Sequence, residues 1–242
     1  MPQHYSSPVG HLNESNRSRL HRFMEVELEL APDVLVPREE TELLGWKAAA
    51  ILRERASETI LIDMCCGCGN LAIGIVNGCP RVRAWAADLT DSTVALARRN
   101  VVRLALQDRV AIRQGDLFAA FEGDDLEGIV DTIVCNPPYI SSSRLDSESV
   151  HLLENEPREA FDGGPYGISI LQRLVRDAAV FLKPGGWLLF EFGEGQDRQV
   201  AALLSRTSSY EHLTFAAMAD GKPRVAMAQK RGGWDSGAGS QA

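Results

Sequence analysis

Asn136-Pro137-Pro138-Tyr139 is the stretch of this chain whose residue types and order point most directly to a reaction. Pro138 biases Pro137 toward an extended backbone, so the carbonyls here point in fixed directions. The Asn136 side-chain carbonyl and the Pro137 backbone carbonyl can each accept one N–H of a planar amino or amide nitrogen. Tyr139 can stack on the flat group that carries it. Such a nitrogen is a poor nucleophile because its lone pair is delocalised. Two acceptors orient it, let it pyramidalise and aim the lone pair at an electrophile. No strong base is needed before attack, since the proton leaves afterwards, and the contribution is orientation in a water-poor site. The bland alternative is a strand ended by prolines, which two prolines bring about in any protein.

Three further segments follow apolar runs. Asp63-Met64-Cys65-Cys66-Gly67-Cys68-Gly69-Asn70 leads into a helical pattern, and its glycines permit a tight turn and close ligand approach. Taken alone it is equally a plain strand-to-helix turn. Asp88 ends Ala84-Trp85-Ala86-Ala87-Asp88 a little over twenty positions later, where an acid can accept from both hydroxyls of a ribose. Its alternative role is to cap the helix opening near Asp91, for which it stands slightly early. Gly115-Asp116-Leu117-Phe118 offers an acid for an adenine amino group and apolar neighbours for its ring. Together the three describe a nucleoside-binding crevice; none does so alone.

These residues need a scaffold that brings them to one edge. From Thr59 onward, short apolar runs (60–62, 82–87, 110–112, 129–134 and 187–192) alternate with helical stretches at 71–76, 92–104 and 168–182. That rhythm predicts an α/β domain, a mostly parallel sheet with helices on both faces. In such a sheet, ligands bind beyond the carboxyl ends of the strands where strand order reverses. The runs at 213–218 and 224–228 lie close together and predict an antiparallel edge hairpin. Ahead of the core, Met24 to Leu30 alternates apolar and acidic residues as a half-buried strand does. A helix is expected from about Arg38 to Glu54, with Glu39, Glu40 and Glu42 at its positive end.

The 242 residues suffice for one domain with a substantial core, and the formal net charge of -8 argues against a nucleic-acid partner. Arg98, Arg99 and Arg103 share the helical stretch at 92–104 and read as a solvated face. Five cysteines, three of them in Cys65-Cys66-Gly67-Cys68, fit neither a disulfide framework nor a zinc site; small buried residues in a tight turn account for them better. No apolar run spans a membrane and no secretory signal is present, so the expected compartment is the cytoplasm. Residues 1–22 are expected to be a flexible segment, 23–230 the catalytic domain and 231–242 a disordered tail.

The motifs in combination resemble the release-factor glutamine methyltransferases, a branch of the amino-methyltransferases. Asn136 to Tyr139 matches their acceptor motif, and Pro37-Arg38-Glu39-Glu40-Thr41-Glu42 is similar to their Pro-Arg-x-Glu-Thr-Glu segment. Glu156-Pro157 with Gly163-Gly164 is similar to the loop after the acceptor motif, and Lys183 to Gly186 and Glu191 to Gln196 to the next strand and its flanks. The resemblance covers roughly residues 24 to 229. It implies a Rossmann-like class I methyltransferase fold with a seven-stranded sheet, and S-adenosylmethionine as methyl donor, released as S-adenosylhomocysteine. It implies donor contacts from Asp63, Cys65, Cys66, Gly67, Gly69, Asp88, Asp116, Leu117 and Asn136. It implies catalysis by Asn136, Pro137, Pro138 and Tyr139, with Arg38, Glu39, Thr41, Glu156 and Pro157 in segments facing the substrate. The implied acceptor is a glutamine-type amide on a protein, with a small-molecule amide or amine as the alternative. Two departures stand out. The family has glycine where Cys65 stands, and its N-terminal helical domain, which helps grip the release factor, has no counterpart in the polar segment up to about His21. A release factor is therefore a less expected acceptor than the motifs alone suggest.

Overall fold

The computed structural model describes residues 19–32, 34–140 and 168–232. Expectations for residues 1–18, for Glu156 and Pro157 and for 233–242 fall outside the described residues. Two strands open the described chain, β1 (Arg19–Phe23) and β2 (Val26–Leu30), followed by α1 (Glu39–Arg53). The alternating core comes next: β3 (Thr59–Met64), α2 (Asn70–Gly78), β4 (Val82–Asp88), α3 (Asp91–Arg103), β5 (Val110–Gln114), a 3-10 turn (Leu117–Phe121) and β6 (Val130–Cys135). It is completed by α4 (Ser169–Phe181), β7 (Leu182–Glu191), α5 (Asp197–Ser205), β8 (Tyr210–Ala217) and β9 (Pro223–Lys230).

The main sheet has seven strands in the order β5-β4-β3-β6-β7-β9-β8. The first five pair in parallel, and β9 runs antiparallel to both β7 and β8, giving the expected edge hairpin. Residues that alternate along each strand feed two separate cores. Leu61, Val134 and Leu189 pack with α1, α2 and α3 on one face, and Ile62, Ile133 and Leu188 pack with α4 and α5 on the other. A strand covered on both faces has no solvent side, and all six residues of β6 are buried, the polar Asp131 and Thr132 included. Strand order reverses between β3 and β6, where Met64 stands opposite Cys135. The Gly-rich turn and Asn136 therefore leave the sheet side by side.

The alternation of apolar and acidic residues predicts one strand over 24–30 and a loose polar segment before it. Instead Met24 and Glu25 form a turn between β1 and β2, and residues 19–22 pair with 27–30. β1 carries Arg19, His21 and Arg22, so its backbone pairing left no hydrophobic signature. The hairpin is stitched to the core by buried Asn100 of α3. Its Oδ1 accepts from Glu29 N at 2.7 Å, and its Nδ2 donates to Glu29 O at 2.9 Å and to Cys68 O at 3.1 Å. No helix among the described residues is long and apolar enough to cross a membrane.

Candidate active site

The turn after β3 is built on Asp63 and Asp88. Asp63 is fully buried, and its Oδ2 accepts from Ala72 N at 2.9 Å, holding the first turn of α2 against the strand. Burial pushes its carboxyl up to about 8, against the pull of that N–H bond, with the charge of Asp88 adding to the rise. Asp88 clamps the turn from the neighbouring strand: its Oδ2 accepts from Gly67 N at 2.8 Å, and its Oδ1 from Leu89 N and from Thr93 Oγ1, each at 2.8 Å. Capping of α3 is done by Thr90, which accepts from Thr93 N. Asp88 is thus free of the capping role and faces a cleft.

That cleft has a volume of about 820 Å3 counting its open mouth. Its walls come from the carboxyl ends of successive strands: Met64, Cys65 and Gly67 after β3, Asp88 to Thr90 after β4, Gly115 to Leu117 after β5, and Asn136 and Pro138 after β6. Ile170 of α4 and Leu35 also line it. Of the expected donor contacts, Cys65, Gly67, Asp88, Asp116, Leu117 and Asn136 share this wall. Asp63, Cys66 and Gly69 do not: Asp63 and Cys66 are buried beneath it, and Gly69 caps α2 with φ 84°. Consecutive residues of a tight turn alternate between ligand and core, so the motif names more residues than touch the cavity. Burial raises the Cys66 and Cys68 thiols, Cys68 to about 12, so both stay protonated. Cys65 sits at φ 57°, a left-handed conformation that favours glycine over any side chain.

A smaller pocket, about 270 Å3 with its mouth, adjoins the cleft and is lined by Arg38, Asn136, Pro137, Tyr139, Ile140 and Glu191 as well as Leu35. Asn136 and Leu35 border both spaces. Behind the pocket lies a chain of hydrogen bonds. Asn136 Nδ2 donates to Thr41 Oγ1 at 3.1 Å, Thr41 Oγ1 donates to Glu191 Oε2 at 2.8 Å, and Tyr139 OH donates to Glu191 Oε1 at 3.0 Å. Arg224 Nη2 donates to Tyr139 OH at 3.3 Å, and its guanidinium lies 5.9 Å from the ring centre. Burial, chiefly, and the Glu191 charge push the Tyr139 phenol well up, so it remains a proton donor. Gln196 fixes the backbone, giving Nε2–H to Tyr139 O at 2.9 Å while its Oε1 takes Gly193 N–H at 2.8 Å. A Cβ at Gly193 would stand 3.1 Å from Tyr139 Cδ2, so glycine there lets the ring seat.

Thr41, expected to face the substrate, is buried behind Asn136, and Glu39 is exposed at the start of α1 outside both pockets. Arg38 alone of the described substrate-segment residues lines the smaller pocket. Arg173 of α4, without a sequence signal, pairs with Asp116 at 2.8 Å. The joint role of Thr41 and Glu191 was equally invisible, because they are 150 residues apart.

A cleft at the topological switch point, with the Asp88 carboxylate beside a glycine turn and apolar Leu117 and Ile170 beside Asp116, suits a positively charged sulfonium nucleoside. The fold and this cleft define a class I S-adenosylmethionine-dependent methyltransferase. A family model described as methyltransferase small domain matches residues 47–164. A release factor glutamine methyltransferase of Streptomyces coelicolor is 32% identical over 209 residues, 86% of this chain and 72% of that protein. A 4-amino-L-phenylalanine/4-methylamino-L-phenylalanine methyltransferase of Streptomyces pristinaespiralis is 34% identical over 196 residues, 79% of this chain and 65% of that one. Among solved structures, the release-factor-specific protein-(glutamine-N5) methyltransferase of Alicyclobacillus acidocaldarius aligns with TM-score 0.50 at 24% identity, covering 84% of this chain and 99% of that one. The chain belongs to the release factor glutamine methyltransferase family.

Proposed function

We propose that the chain transfers a methyl group to the side-chain amide nitrogen of glutamine in a protein acceptor. The observation that carries this reading is that Asn136 borders both the donor cleft and the smaller pocket, so its amide stands where the two substrates meet. S-adenosylmethionine supplies an electrophilic methyl on a positively charged sulfur and departs as the neutral thioether. Cys65 and Gly67 would hold its methionine part, Asp88 its ribose, and Asp116 with Leu117 its adenine.

The protein's own part is orientation. The Asn136 side-chain carbonyl and the Pro137 backbone carbonyl accept the two N–H bonds of the acceptor amide, and Tyr139 stacks on its plane. The nitrogen loses conjugation with its carbonyl only as it pyramidalises, so these bonds strengthen toward the transition state. Once the nitrogen has become tetravalent, one N–H proton passes to water, which leaves a neutral N-methyl amide. Burial of Pro137 and the half-burial of Asn136 and Tyr139 keep competing water away from those carbonyls.

A second reading has an observation of its own. The Streptomyces pristinaespiralis relative is named for an aromatic amine on a free amino acid, and it is as similar to this chain as the glutamine enzymes are. An aniline-type nitrogen is also planar and conjugated, and the same two carbonyls and ring would hold it. Incubation with methyl-labelled donor and parallel acceptors separates the readings. The acceptors are a release factor, glutamine peptides, 4-aminophenylalanine, and DNA and RNA. Label on glutamine supports the first, label on the arylamine alone the second, and label on nucleic acid overturns both.

A further inference from the structure

We infer that Thr41 and Glu191 are positioning residues that set which end of the Asn136 amide is presented to the acceptor. The inference rests on the proposed role of Asn136 as the acceptor of an incoming N–H.

The supply of protons along the hydrogen-bond chain fixes its direction. Glu191 is 1% exposed and ends β7 with both carboxylate oxygens occupied, Oε2 by Thr41 and Oε1 by Tyr139. An ionised carboxylate only accepts, so Thr41 and Tyr139 must both donate to it. Tyr139 has one proton to give, and its oxygen in turn receives from Arg224. Thr41 also has one proton, and Glu191 takes it. Toward Asn136, therefore, Thr41 can offer only a lone pair, and the end of the amide that faces it must be the NH2. The carbonyl Oδ1 is left for the other side, where Asn136 borders both pockets.

The amide needs such an instruction. Its oxygen and NH2 are nearly the same size, so packing alone hardly distinguishes the two orientations. Turned over, Asn136 would present N–H to the acceptor's N–H, and the orienting bond would become a repulsion. An ionised Glu191, two hydrogen bonds away, removes that choice. Glu191 and Thr41 thus act on the reaction only through Asn136.

The arrangement is sensitive to the proton on Glu191. Burial pushes that carboxyl up, while the bonds from Thr41 and Tyr139 and the charge of Arg224 hold it down, and Glu40 pushes it up further. Among the described residues, the charged and titratable groups acting on it are Glu40 on α1, Tyr139 after β6 and Arg224 on β9. Arg224 also pairs with Glu40 at 3.4 Å, and the charge of Arg38 acts on Tyr139. Once protonated, Glu191 can donate to Thr41, which can then donate to Asn136 and stabilise the wrong amide orientation.

The test uses the full chain saturated with S-adenosylhomocysteine, with hydrogen exchange of the Asn136 side-chain amide followed by 15N NMR and assigned by its loss in Asn136→Asp. In wild type and Thr41→Ser one Nδ2 proton should exchange slowly, and in Thr41→Val about tenfold or more faster. With an active acceptor, Thr41→Val should lower kcat roughly 30-fold or more with acceptor KM and S-adenosylhomocysteine affinity within about twofold, and Thr41→Ser should restore it. Glu191→Gln should remove the acidic limb of the kcat profile. Exchange and kcat of Thr41→Val equal to wild type would overturn the inference, as would an acidic limb unchanged in Glu191→Gln. If no amide or amine acceptor is methylated, the proposed function fails, and the exchange measurement still decides the orientation of Asn136 independently.

Discussion

The Asn136 side-chain amide donates to the Thr41 hydroxyl at 3.1 Å across 95 residues of sequence. Asn136 leaves the end of β6, and Thr41 stands in the first turn of α1, which packs against the face of the sheet. Asn136 is therefore held from behind by an element that precedes the whole α/β core. Its tetrapeptide does not position itself.

In the proposed role, Asn136 serves the transition state more than donor binding. Asn136→Ala should leave S-adenosylhomocysteine affinity within about twofold and lower kcat by roughly 100- to 1000-fold, the size seen when one oriented polar group is removed from a developing charge. Calorimetry and turnover measured on the same preparation check both halves. Equal losses in the two would mean that Asn136 serves the donor instead.

Asp88 carries two duties, holding Gly67 N–H and facing the cleft. Asp88→Ala should weaken donor binding by about 1.5–3 kcal/mol, the range for hydrogen bonds to a charged group. Titration calorimetry with S-adenosylhomocysteine reads this directly. Unchanged affinity would place the ribose elsewhere.

Asp63 predicts a pH dependence of stability with a definite sign. Its carboxyl titrates at about 8 in the folded protein and near 3.8 when unperturbed, so the folded state holds the proton more tightly. The stability it contributes is complete below about pH 3.8 and is lost as pH rises through about 8. The Tm of wild type relative to Asp63→Asn should therefore fall steadily across that window. Parallel curves would show that the buried carboxyl is already ionised.

Gly193 tests the seat of the aromatic ring. A Cβ there would meet Gln196 Oε1 at 2.9 Å and Tyr139 Cδ2 at 3.1 Å. Gly193→Ala should displace Tyr139 and lower kcat by about tenfold while sparing donor affinity, since small misplacements of orienting groups are costly to rate. An unaltered kcat would show that the ring has room to move.

Much of this architecture was legible because it repeats. The apolar runs marked β3 to β7 and the edge hairpin, and the rule that ligands sit beyond strand ends placed Gly67, Asp88, Asp116 and Asn136 on one edge. Other features left no pattern. β1 is polar because only its backbone and Phe23 are used, and α5 is a nine-residue helix that buries only Val200 and Leu204. Thr41 read as one polar residue in an acidic helix start, and nothing local distinguishes a hydroxyl that faces a substrate from one buried against Glu191. Asp63, Cys66 and Gly69 belong to the donor motif by sequence, yet the turn directs them inward to hold it together. Contacts between residues many tens of positions apart decide such roles, and periodicity does not encode them.

Which atom receives the methyl group is read most directly by fragmentation mass spectrometry of the methylated acceptor. After reaction with labelled donor and a glutamine-containing protein or peptide, the account predicts one added methyl, localised to the glutamine side-chain nitrogen and absent with Asn136→Ala. Label found only on an oxygen, a sulfur or a nucleobase would contradict it, as would glutamine methylation that persists undiminished in Asn136→Ala.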